Sequence, residues 1–113
     1  MKLPHRISIT LSATLLLVAH VYALPNVHLP NMQSLMVAMP YPEYPSEARA
    51  RHISGYGVYD VIVHTQTGVV TRVVILRSTG SRLLDDAAVK ALSRWRASPG
   101  KISHIKVPVN FVM

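Results

Sequence analysis

The chain is 113 residues long and half apolar, enough for one domain with its own core and too little for two. Its formal net charge of +7 comes from twelve Lys and Arg against five Asp and Glu. The basic residues are spread no more densely than every second position and lack the aromatic interleaving used for base stacking, which argues against nucleic-acid binding. Cysteine is absent, which excludes disulfides, thiolate metal sites, a cysteine nucleophile and a lipidated N-terminal cysteine.

Lys2 and Arg6 precede a largely apolar run from Ile7 to Ala19, and Val21, Tyr22 and Ala23 follow at the positions a signal peptidase reads. Residues 1–23 therefore have the layout of a secretory signal cut after Ala23. A short uncleaved membrane anchor fits the same stretch, because residues 7–24 reach the lower length limit for a bilayer-crossing helix. Both readings carry the remainder across the membrane. Beyond Ala23 ten basic and five acidic residues remain, a net charge of +5.

Residues 24–41 contain Pro25, Pro30 and Pro40, with Pro42 just after, and show no helical or strand period, as an extended linker would. Even fully stretched, this segment spans at most about 65 Å. From Tyr44 to His52 the sequence reads as a short helix, with Pro45 at its start, Glu47 in the first turn facing the positive dipole end, and Gly55 and Gly57 after it. Residues 58–65 and 69–76 are β-branched runs separated by Thr65-Gln66-Thr67-Gly68, which reads as a hairpin with Gly68 supplying the positive φ of the turn. Leu84, Ala88, Ala91, Leu92 and Trp95 form one helical stripe. Asp85 and Asp86 at its start and Arg94 and Arg96 at its end complement the helix dipole. Pro99 and Gly100 break that pattern, and Ile105, Val107, Val109, Phe111 and Met113 then alternate with other residues as a final strand. Pro108 lacks an N–H for a ladder, so at least one side of that strand should be an edge. The order helix, strand, strand, helix, strand implies an α+β fold: a three-stranded antiparallel sheet with two helices on one face.

Five motifs in this order resemble a known family. They are Tyr44-Pro45 followed by Ala48; Gly57 before a valine-rich strand; the turn glycine Gly68 with Ser78-Thr79-Gly80 closing the second strand; Leu84-Asp85 leading an alanine-rich helix to Trp95-Arg96; and Val107-Pro108-Val109-Asn110-Phe111. Over residues 42–113 the chain is similar to TonB C-terminal domains of the bacterial periplasm. The resemblance implies a module with no chemistry and no cofactor. It implies a partner that is an outer-membrane TonB-dependent receptor or another envelope protein, whose extended segment pairs with the last strand. The partner-binding residues would be His104, Ile105, Lys106, Val107, Pro108, Val109, Asn110 and Phe111. Full-length members of that family carry an anchor helix and a long proline-rich arm, whereas the linker here is short. The resemblance thus carries partner binding rather than force transmission.

The other readings are plainer. His28, His52, His64 and His104 are too scattered in sequence for a metal site. Asp85 and Asp86 point about 100° apart on a helix, so the dipole explains them better than acid–base chemistry does. No nucleophile triad, phosphate loop or nucleotide fingerprint occurs, so an enzyme is not expected. Trp95 reads as a core anchor. Two further classes stay open beside strand docking: a basic domain held on anionic envelope polymer or lipid, and a homodimer formed through an uncovered sheet edge.

Overall fold

A computed structural model describes residues 25–113; the candidate signal or anchor, residues 1–23, lies outside the described residues. Along the chain run β1 (Asn26–His28), β2 (Met36–Ala38), α1 (Ser46–Ala50), β3 (Gly55–His64), β4 (Val69–Arg77), α2 (Arg82–Leu92), β5 (Arg96–Ala97) and β6 (His104–Val112). The α+β class and the helix–strand–strand–helix–strand frame are those expected. The three-strand sheet is not: all strands join one antiparallel sheet of six, in the order β1-β6-β3-β4-β5-β2. The additions are strands of two or three residues, too short for their own alternation to show a period of two. Two of them come from the proline-bearing stretch before Tyr41, and they form through pairings distant in sequence.

The β3–β4 hairpin forms because both strands are β-branched and the turn glycine can take the required backbone. Gly68 has φ +80°, and its N–H donates to the His64 carbonyl at 2.8 Å. Its own carbonyl accepts from Ala97 N–H at 2.8 Å, so the turn also seats β5. A Cβ added at Gly68 would lie 2.0 Å from the Ala97 carbonyl oxygen. β4 carries two irregularities in its pairing with β3, where Leu76 and Thr71 are the extra residues.

The core lies between the helices and one sheet face. Tyr59, Val61 and Val63 of β3 and Val107, Val109 and Phe111 of β6 meet Ala48 of α1 and Leu84, Ala88 and Leu92 of α2. That is the period of two in the strands answering the period near 3.6 in α2. Trp95 belongs to the same stripe but sits beyond the helix. After Leu92 the chain tightens, with Arg94 N–H donating to Ala91 and Trp95 N–H to Leu92, which keeps the indole on the buried side. Its Nε1–H donates to the Pro40 carbonyl at 2.9 Å and so fastens the segment before α1 to the core.

Gly68 and Gly80 both have left-handed φ, but only Gly68 is crowded. Gly80→Ala should cost about 1 kcal/mol, the backbone strain partly offset by a stiffer unfolded chain. Gly68→Ala should cost at least about 3 kcal/mol because the hairpin must also separate from β5. Urea unfolding of the two variants side by side checks the difference.

Candidate docking edge

β6 is a strand with a divided character, which follows from its sequence. Val107, Val109 and Phe111 are buried and Ile105 is packed against the core, whereas His104, Lys106 and Asn110 are exposed and Pro108 is half-buried on the opposite face. All eight residues singled out by the resemblance therefore lie on one strand, with their side chains shared between two faces.

Main-chain directions alternate with the same period. β6 pairs with β3 without irregularity from Ile62↔His104 to Gly55↔Phe111, and just beyond this ladder the Val63 N–H donates to the Ser103 carbonyl at 2.8 Å. Hydrogen-bonded and non-bonded pairs alternate in an antiparallel ladder. Residues 105, 107, 109 and 111 thus spend their main-chain groups on β3, while 104, 106, 108 and 110 aim theirs away from it. Pro108 falls in the outward set. Its missing N–H costs the β3 ladder nothing, which is why a proline is tolerated in a strand flanked on both sides.

The outward rim is sealed only in part. β1 pairs with it through Asn26↔Val112, Val27↔Phe111 and His28↔Asn110. β6 is therefore not the outermost strand, contrary to a simple edge reading, because Asn110 and Phe111 lie beneath β1. Over residues 104–109 no backbone segment pairs with the rim among the described residues. The groups left free are the N–H and C=O of His104 and Lys106 and the C=O of Pro108. On the outer face His104 Nδ1 lies 3.1 Å from Asp60 Oδ1, both side chains partly open to solvent.

Two anchors hold β6 and β3 in place. The Tyr44 ring meets Phe111 edge-on, with centroids 5.5 Å apart, and its hydroxyl donates to the Ile53 carbonyl, so the Tyr-Pro motif ties the exit of α1 to the last strand. The second anchor is Asp85, only 8% exposed. It accepts from the Tyr59 hydroxyl at 2.8 Å, from Thr79 N–H at 2.9 Å, from the Thr79 hydroxyl at 2.9 Å and from the Ser78 hydroxyl. Burial pushes its carboxyl upward, but the four hydrogen bonds outweigh that and hold it below the usual carboxylate range. The Tyr59 phenol is correspondingly pushed far up by burial and by the neighbouring carboxylate. Gly57 makes room for this geometry, since a Cβ there would lie 2.6 Å from the Tyr59 hydroxyl.

Dipole complementation, the sequence reading of both aspartates, fits neither fully: Asp85 stands in the first turn of α2 but is buried in its hydrogen-bond cluster, whereas Asp86 lies one residue beyond that turn, exposed and 3.9 Å from Arg82. The signal that could have separated Asp85 is its place in the apolar stripe, one residue after Leu84 and three before Ala88, a position a solvated acid would not occupy.

The described residues thus form a small sheet with helices on one face and a long strand whose rim is partly open. Residues 40–113 match the family described as Gram-negative bacterial TonB protein C-terminal, and the chain belongs to that family, which is not enzymatic. It is 32% identical over 84 residues to "Protein TonB" of Vibrio cholerae serotype O1, covering 69% of this chain and 34% of that protein. It is 35% identical over 78 residues to "Protein tonB2" of Pseudomonas aeruginosa, covering 64% and 28% respectively. The chain thus spans about a third of the length of these relatives. The solution NMR structure of the Pseudomonas aeruginosa TonB CTD superposes with a TM-score of 0.57 at 26% identity, over 76% of this chain and 94% of that one.

The folded pKa of Asp85 lies below its unfolded value, so its contribution is fully present above about pH 4 and is lost as pH falls through the folded value. Asp85→Asn should cost about 2 kcal/mol at neutral pH and flatten the acid limb of stability. Urea midpoints measured from neutral pH down to about pH 2 check both effects.

Proposed function

We propose that the domain is a periplasmic module of TonB-dependent transport that docks an extended segment of an outer-membrane receptor by strand addition along β6. The open, regular rim over residues 104–109 carries this reading. An incoming strand would meet two N–H and three C=O groups already held in place by the β3 ladder, each bond adding about 0.5–1.5 kcal/mol net. Every second side chain of the incoming strand would reach the outer face beside Lys106 and His104, where a carboxylate is favoured, and the intervening ones would extend the core face.

β4 also has an unpaired side, since it meets β5 only at Val69↔Arg96, but it is a poorer acceptor. The two extra residues Leu76 and Thr71 break its regularity, and Arg72 and Arg77 charge it, both features that protect an edge from pairing. β6 pairs with β3 without irregularity and carries a single lysine, Lys106, along its open stretch.

A second reading is favoured by one observation. Arg72, Arg77, Lys106 and His104 share the outer sheet face with Asp60 as its acid, while Glu43, Glu47 and Asp86 lie on the helical side. An anionic polymer or lipid held there would bind with an affinity that collapses between low and moderate salt.

A peptide from the periplasm-facing N-terminal segment of such a receptor should shift the amide signals of residues 104–109, and unmoved signals at saturating peptide would overturn the docking reading. Lys106→Pro removes an outward donor and leaves the β3 ladder whole, so it should keep the fold and weaken the peptide roughly tenfold. Val107→Pro removes a donor that β3 uses and should disrupt the sheet. Heteronuclear NMR titration reads both variants.

A further inference from the structure

The rim of β6 is shared between an open part and a part held by the chain itself, and the boundary between them has a covalent cause. β1 covers residues 110–112 and stops at His28. In the same register Leu29 would lie opposite Val109 and Pro30 opposite Pro108. Because residue 108 belongs to the outward-facing set, that would be a hydrogen-bonded pair, and neither proline has an N–H to donate. The ladder of β1 therefore cannot advance along β6. It is held by two bonded pairs, at Asn26 and His28, and by one buried side chain, Val27 against Phe111. On its far side the Val27 N–H is taken by the Asn26 side-chain oxygen at 2.8 Å, so this short strand presents little that would let pairing continue outward.

We infer that β1 is an internal occupant of the docking rim, competing with the partner for Asn110, Phe111 and Val112. The inference rests on the strand-docking reading and deepens it by specifying the partner. A segment that uses the whole rim must displace β1 and replace what β1 supplies. It needs a small branched apolar residue opposite Phe111 to refill the place of Val27. Opposite Pro108 it needs a residue other than proline, whose N–H can reach the Pro108 carbonyl that Pro30 leaves without a partner. Next to Lys106 on the outer face it would carry an acidic residue. A segment lacking the apolar residue is confined to residues 104–109.

Two substitutions in the full chain release β1 by independent routes. His28→Pro removes the donor facing Asn110 and lies on the surface, leaving the core untouched; Val27→Asp removes the buried side chain. The probe is the receptor peptide of the docking experiment, followed by amide shifts and by titration. Both variants should bind about tenfold more tightly than the unaltered protein, the factor expected if β1 occupies its place nine-tenths of the time. In the unaltered protein, binding should move the signals of Val27 and His28 together with those of residues 110–112. Equal affinity in all three proteins, with the Val27 and His28 signals unmoved, overturns the competition and leaves docking on residues 104–109 standing. Absence of binding in all three overturns the docking reading and the competition with it.

Discussion

In β6 a single alternation sets both which side chains enter the core and which main-chain groups face outward. Residues 105, 107, 109 and 111 give their side chains to the packed face and their N–H and C=O groups to β3. The residues between them turn side chains to the open face and main chain to the rim. Burying Val107, Val109 and Phe111 therefore fixes the register of the rim, because a slip of one residue would put the exposed His104, Lys106 and Asn110 against the helices. The outward main-chain groups are thus ordered when the core forms, and an extended segment docked as proposed would not have to organise them.

That register depends on β3 staying aligned between β4 and β6, and the Asp85 cluster bears on this. It joins the middle of β3, through Tyr59, to the Ser78–Thr79 bend that leads β4 into α2. A buried carboxylate without a cationic partner is costly, and here four donors offset the cost. The arrangement is directional. A salt bridge could slide along a surface, whereas four donors converging on two oxygens fix strand, bend and helix relative to one another.

The central frame was legible because its signals are local. The β-branched runs, the Gly68 turn, the apolar stripe of α2 and the alternation before Phe111 each announce an element within a dozen residues. β1, β2 and β5 were not legible, since two or three residues carry no period and their pairings join positions far apart, such as Val27 with Phe111 and Met36 with Ala97. Trp95 extended the helical stripe beyond the true end of α2 because a tight final turn keeps nearly the same angular position. For the candidate docking edge, alternation and Pro108 located the strand and pointed to a free side. They could not disclose that residues 26–28 cover one end of it, because that depends on where the chain returns in space.

The two prolines bring these levels together. Pro108 alone would mark an edge; Pro108 facing the extrapolated position of Pro30 sets how far the chain can seal its own edge. A sheet of this size with both long sides bare would invite association with its own copies. One sealed along the full length of β6 would have no outward main-chain groups to offer there. The chain lies between these limits. β4 is guarded by irregular pairing and arginines, whereas β6 is covered over three residues and stays open over the next six because neither proline can donate at the boundary. On β6 the exposed backbone is thus confined, among the described residues, to six positions in regular register, a length that the proposed extended peptide would satisfy.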